Sequence, residues 1–177
     1  MVLVSLFAAL IAVLGLAPKV MLASGVPITA QSMGIMLCGT VLGAQRGALA
    51  VLLFITLTAL GLPLLSGGRG GLGVFASPSV GFIVGFPLAA FVAGWITSKL
   101  RLINVFYSSL LGALVGGILI LYIPGIVGMS IMLDKSISEA ALIALIYLPG
   151  DCIKAFLCAM LTHTLFKLRP ENVLSRI

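Results

Sequence analysis

The sequence predicts an all-α membrane protein of six transmembrane helices enclosing an outward-facing pocket. Three observations predict it. The 177 residues are 62% hydrophobic and only 8% charged, with a mean hydropathy of +1.33. A soluble domain is about a quarter charged, so the bilayer is the solvent here. The apolar residues fall into runs separated by Pro, Gly and isolated charges, and not into one N-terminal stretch that a cleaved leader would explain. Finally, an acid and a base, Asp151 and Lys154, stand three residues apart in apolar sequence. Ionisable residues in such surroundings cost about 2.5–3.5 kcal/mol each and point to function.

A spanning helix needs about 20 mostly apolar residues. The first run covers residues 2–17 and stops before Pro18. The second, residues 28–44, is entered through Pro27. The third covers residues 47–62 and is closed by Gly61 and Pro63, and a glycine-rich loop follows from Leu64 to Pro78. The fourth covers residues 79–98 and the fifth residues 104–123, where Pro124-Gly125 is expected to end it. Pro149 suits the first turn of a helix, because the N–H it lacks has no partner there anyway. The sixth helix is therefore placed at residues 149–168, after a short helix at residues 136–148 that Ser136 and Glu139 open as a capping box. All of this forms one integral membrane domain.

Six spans put both termini on one side. That side receives Arg46, Lys99, Arg101, Lys167, Arg169 and Arg176, against Lys19, Arg69 and Lys135 on the other. The bias places both termini in the cytoplasm, and the glycine-rich loop and Asp151 on the outside. Trp95 and Tyr107 flank the Lys99–Arg101 loop as interface anchors. The net charge of +6 is scattered singly and forms no stripe with aromatic neighbours, so nucleic acid is not the partner.

Asp151 and Lys154 share one helical face. Either they neutralise each other, or they form an acceptor and a donor for a polar ligand. In a first turn, the helix N-terminus would keep Asp151 ionised. The loop from Ser66 to Gly73 contains a formal GxGxxG at Gly68, Gly70 and Gly73. No strand precedes it and no acid lies about 20 residues on, so it is no dinucleotide site. Gly70 and Gly71 instead offer free N–H groups to a ligand, beside Arg69, which suits a carboxylate. Gln31, Thr56 and Thr58 either line the cavity or bond backbone. His163 has no second ligand at metal spacing, and Cys38, Cys152 and Cys158 form no CxxC. No HExxH, GxSxG or phosphate loop occurs. Neither an enzyme nor a cofactor is expected. Small residues recur four apart at Ala8/Ala12, Gly39/Gly43, Gly81/Gly85 and Gly112/Gly116, a spacing that lets helices approach closely.

The segments Val26-Pro27-Ile28-Thr29-Ala30-Gln31, Gly61-Leu62-Pro63, Ser66 to Gly73, Pro78, Gly81-Phe82 with Gly85-Phe86, and Pro149-Gly150-Asp151-xx-Lys154 occur in this order. Together they resemble BioY, the biotin-specific S components of energy-coupling factor transporters. The resemblance implies an S-component-like six-helix bundle that binds biotin from outside. Asp151 and Lys154, which match the family's PGDxxK motif, would belong to the biotin site. Arg69, Gln31, Gly70 and Gly71 complete the expected set. The resemblance also implies that Ala8 and Ala12 dock a transmembrane coupling subunit, and that a separate ATPase pair supplies the energy. The chain begins without the family's usual polar leader, so Met1 is a candidate late start. The alternatives are an S component for another vitamin, or a self-sufficient small transporter or channel.

Overall fold

The computed structural model describes residues 1–18, 20–21 and 25–177. Lys19, counted above among the outer cations, lies outside them. Six helices build the described chain: α1 (Val2–Leu14), α2 (Gln31–Leu42), α3 (Ala44–Ala59), α4 (Val80–Lys99), α5 (Val105–Leu133) and α6 (Ile137–Leu168). By length and composition α4, α5 and α6 can each cross a membrane, while α1, α2 and α3 are shorter apolar helices. The segments after α1 and after α3 contribute cavity-lining residues, while only Gly43 separates α2 from α3. Irregular backbone is tolerated at membrane depth when it lines a cavity. Two short strands, β1 (Val20–Met21) and β2 (Pro27–Ile28), pair antiparallel between α1 and α2.

Helix α2 begins at Gln31 and not at Ile28, because Pro27 and Ile28 are taken by the strand pair. Helix α5 does not end at Pro124. It continues to Leu133, with Pro124 inside it. Residues Val115–Ile120 form a wider π turn just before, a local adjustment of the kind that lets membrane helices carry proline. The helix stops at Asp134, whose φ of 51° takes it into the left-handed region.

The last helix is also continuous. Ser136 and Glu139 form the expected capping box: the Glu139 N–H donates to Ser136 Oγ and the Ser136 N–H to Glu139 Oε2. Pro149 cannot donate to the Leu145 carbonyl. A tightened turn at Leu145–Tyr147 lets the Leu148 N–H donate there instead, so the chain passes the proline without stopping.

Helix α4 is the central post, packed against α2, α3 and α5. Glycine makes these contacts possible. A Cβ on Gly39 would stand 2.3 Å from the Ala90 carbonyl oxygen, and one on Gly112 or Gly116 would stand 2.5 Å from that of Ala93 or Ala89. The core lies on both sides of this post, with Ile11, Ile35 and Phe54 buried on one side and Met36 and Met129 on the other. At the face carrying the chain ends, the C-terminal residues tuck back inward. Val173 and Ser175 are fully buried, and Ser175 Oγ donates to the Thr40 carbonyl.

Candidate functional site

At the opposite face, a cavity opens between the strand pair, the start of α2, the glycine-rich loop, and helices α4, α5 and α6. Ser32, Ser66, Arg69, Tyr147, Asp151 and Lys154 line it, with an apolar wall that includes Phe82 and Phe86.

Asp151 is 7% exposed, and side chains engage both of its oxygens. Its Oδ1 accepts from Lys154 Nζ at 2.9 Å and from Ser32 Oγ at 3.4 Å, and its Oδ2 accepts from the Tyr122 hydroxyl at 2.9 Å. Lys154 Nζ also donates to Ser32 Oγ at 3.0 Å. The pair is thus a salt bridge between i and i+3, and both of its members line the cavity. The free helix N-terminus expected to hold Asp151 is not there. Asp151 lies in the first turn after a 3-10 joint inside a continuous helix, and Tyr122, Ser32 and Lys154 carry the electrostatic work. A carboxylate has about four acceptor sites and an ammonium three donors. Three of the first and two of the second are used, leaving each partner with one to offer.

Arg69 is positioned by a hairpin. Leu65 and Arg69 exchange backbone hydrogen bonds at 3.0 and 3.2 Å. The connecting turn puts Gly67 at φ 80° and Gly68 at φ 70°, values that disfavour any residue with a Cβ. The Arg69 Nε donates to the Ser66 carbonyl at 3.4 Å, which leaves its remaining N–H groups for a ligand. Ser66 Oγ is buried and has no hydrogen-bond partner.

Gln31 is a clamp. Its side-chain amide donates to the carbonyls of Ile11 (3.2 Å) and Leu64 (3.0 Å), and its Oε1 accepts from the Ser66 N–H (2.9 Å). It touches the cavity, but its hydrogen-bonding capacity ties α1 and the glycine-rich loop to α2. Gln31→Leu would leave the Leu64 carbonyl and the Ser66 N–H unmatched, at about 1–3 kcal/mol for a buried orphan, while the Ile11 carbonyl keeps its bond from the Gly15 N–H. A lower thermal unfolding midpoint in detergent and faster hydrogen exchange at the Ser66 amide are the expected readouts.

Gly70 and Gly71 do not line the cavity. The Gly71 N–H donates to the Thr58 carbonyl at 2.8 Å, and a Cβ on Gly70 would meet the Leu62 carbonyl oxygen at 2.2 Å. These glycines let the loop fold onto the end of α3, so their predicted ligand role is corrected to a packing one. Thr56 and Thr58 bond the carbonyls of Leu52 and Phe54 one turn back. Ala8 faces inward. It is only 4% exposed and packs in the core, with Ala12 partly buried against the same cluster. Spacing shows that two residues share a face but not which way the face points. The outward face of α1 carries Val2, Leu6 and Val13.

Sequence reasoning missed Ser32, Ser66, Tyr122 and Tyr147. The Tyr147 hydroxyl donates to the Val26 carbonyl at 3.1 Å, closing the strand pair over the cavity. Phe82 lies edge-on to both Tyr122 and Tyr147, with ring centroids 6.1 and 6.3 Å apart. Of these, Ser32 stands next to Gln31 at a helix start and Ser66 opens the glycine-rich loop, while nothing local marked the two tyrosines. An acceptor–donor pair, a second cation and an aromatic wall suit a small amphipathic molecule bearing an amide-like group and an anionic group.

The sequence profile of the BioY family matches residues 1–171. The chain belongs to that family. The biotin transporter BioY of Rhodobacter capsulatus is 46% identical over 98% of this chain and 96% of its own length. The biotin transporter BioY of Rhizobium etli is 47% identical over 91% of this chain and 89% of its own. Among solved structures, the S-component for biotin from an ECF-type ABC transporter superposes with a TM-score of 0.88 at 31% identity, covering 94% of this chain and 89% of that one.

Proposed function

We propose that this chain binds biotin at the outer side of the cytoplasmic membrane and passes it inward as the substrate-specific component of an energy-coupling factor transporter. The observation that carries the reading is the cavity where Asp151, Lys154 and Arg69 meet an aromatic wall, in a chain whose relatives are biotin transporters along nearly its whole length. Biotin carries a ureido ring with two N–H donors and one carbonyl, an apolar thioether ring and a carboxylate tail. The spare acceptor site of Asp151 takes a ureido N–H, and the spare donor of Lys154 takes the ureido carbonyl. Phe82 and Phe86 cover the thioether ring. Arg69 holds the carboxylate, and the unpartnered Ser66 Oγ is free to join it.

The cations Arg46, Lys99, Arg101, Lys167, Arg169 and Arg176 stand at helix ends or in the C-terminal segment, away from the cavity. Their excess supports a cytoplasmic location for that face and for both termini. A coupling subunit and an ATPase pair complete the transporter and supply the energy.

Titration calorimetry of the purified protein tests the reading. Biotin is expected to bind and thiamine not to. Arg69→Ala removes charge-assisted hydrogen bonds, about 1.5–3 kcal/mol, and is expected to weaken biotin by about tenfold to a hundredfold while leaving neutral biotin amide unaffected. A biotin affinity indifferent to Arg69, with Lys154→Met weakening the acid but not the amide, would turn the ligand end for end. No heat with biotin would remove the proposal.

A further inference from the structure

A second cavity lies at the face carrying the chain ends. It is formed by the loop between α4 and α5, the last turns of α6 and the C-terminal segment. Its lining includes Arg101, Asn104, His163, Phe166, Lys167 and Arg176, and no acidic residue. From Asp151 to Lys167 the helix climbs about 24 Å at 1.5 Å per residue, so this cavity and the biotin cavity lie near opposite membrane surfaces.

Helix C-termini attract cations through the macrodipole, which accounts for Lys99 and Lys167 as isolated charges. It does not account for the rest. Arg176 enters from the far end of the chain and is braced in place, donating to the carbonyls of Leu100 (2.9 Å) and Ile103 (3.1 Å) and to Ser108 Oγ. Its Nε remains buried without a partner, as does Nδ1 of His163. Burial first, and the neighbouring Arg101 charge second, hold the Arg176 guanidinium below its ordinary pKa. Arg101 spends only its Nε, on the Ser98 carbonyl at 3.1 Å. Glu171 lies outside the lining, 3.7 Å from Arg169 at the exposed surface. Trp95 and Tyr107, half or more exposed, set this level at the headgroup boundary.

We propose that this cavity binds a phosphate group at the membrane boundary, with Arg101 and Lys167 supplying the mobile charges and the braced Arg176 and His163 the floor. An anionic phospholipid headgroup and free phosphate carry the same chemistry. Basic pockets between transmembrane helices on the cytoplasmic side are a general mode of anionic headgroup recognition.

Native mass spectrometry of the full chain, with phosphatidylglycerol and phosphatidylcholine added separately, tests the site. Wild-type protein is expected to retain phosphatidylglycerol preferentially. R101Q/K167Q is expected to bind it about thirtyfold more weakly, from the loss of two interfacial cations. The charge-keeping R101K/K167R should restore binding, and biotin affinity should not change in either. Excess inorganic phosphate that displaces the lipid, or that alone raises the unfolding midpoint of the wild type but not of R101Q/K167Q, would make free phosphate a ligand of the same site. Should R101Q/K167Q fail to fold, K167Q alone reads the loss at about fivefold, since Lys167 is exposed. Equal retention of both lipids by the wild type with no phosphate effect, or retention unaltered in the variants, would overturn the proposal.

Discussion

Asp151→Ala is expected to abolish biotin binding and to lower stability at the same time. Three donors converge on this carboxylate, and the side chain of its ion partner Lys154 is only 15% exposed. Removing one member of a buried pair leaves the other uncompensated, a loss of about 3–5 kcal/mol. The Tyr122 hydroxyl also loses its acceptor. If the same carboxylate receives a ureido N–H, the affinity loss is at least a hundredfold, about 3 kcal/mol. Asp151→Asn separates the two effects. An amide oxygen still accepts from Tyr122, although Lys154 loses its charge partner, so the unfolding midpoint is expected to fall less than in Asp151→Ala, while biotin affinity still drops steeply because the acceptor is no longer charged. Tyr122→Phe leaves the cavity lining intact but frees Oδ2. It is expected to weaken biotin less than either Asp151 variant. Calorimetric titration beside thermal unfolding in the same detergent reads all three. Asp151→Asn binding biotin as the wild type does would place the ligand elsewhere in the cavity.

The acid–base pair was legible in the sequence because i and i+3 on one helix is a local relation, and because charge is conspicuous in an apolar chain. The six-helix architecture was legible for the same reason: hydropathy runs are local. What surrounds the pair was not. Ser32 and Asp151 are 119 residues apart, and nothing in either neighbourhood marks the contact. Gln31 looked like a ligand group because it is polar near the cavity mouth, but a side-chain amide can satisfy three backbone groups at once, and here it does. The prolines misled in a consistent way. Pro124 and Pro149 each remove one donor, and both helices absorb the loss with a one-turn change of winding, π before the first and 3-10 before the second. In lipid, with no water to take an orphan carbonyl, re-satisfying it inside the helix is preferable to ending the helix. The joint before Pro149 keeps Asp151 and Lys154 inside one rigid element, and the glycine loop folds against α3 to present Arg69. The same physics that blurred the helix boundaries therefore built the site.

Gly81 and Gly150 both sit beside residues that matter, and alanine at the two positions is expected to act in opposite directions. A Cβ on Gly81 would stand 1.9 Å from the Pro124 carbonyl oxygen and 2.7 Å from its carbon. Both are backbone atoms, so no side chain can turn aside and α4 must move away from α5. Gly85, one turn on, faces Pro124 Cγ at 2.7 Å and Leu121 Cδ1 at 3.1 Å, so the whole crossing shares the strain. Overpacking of this kind costs about 1–3 kcal/mol. It also reaches the site, because Leu121 lines the cavity and the adjacent Tyr122 holds Asp151. Gly81→Ala is thus expected to lower both the unfolding midpoint and biotin affinity. At Gly150 a Cβ would meet nothing within 4 Å, and the residue is helical. Alanine there gains about 0.5–1 kcal/mol over glycine in a helix interior. Gly150→Ala is expected to raise the midpoint slightly and to leave biotin affinity alone, although it alters the Pro149-Gly150-Asp151 motif itself. If Gly150→Ala instead abolished binding with the fold intact, the open space over that turn would be where the ligand lies, and the motif glycine would be read by biotin directly. If Gly81→Ala were silent in both measurements, the crossing of α4 over Pro124 would be looser than the contact distances require, and Tyr122 would need another support to hold Asp151 in place.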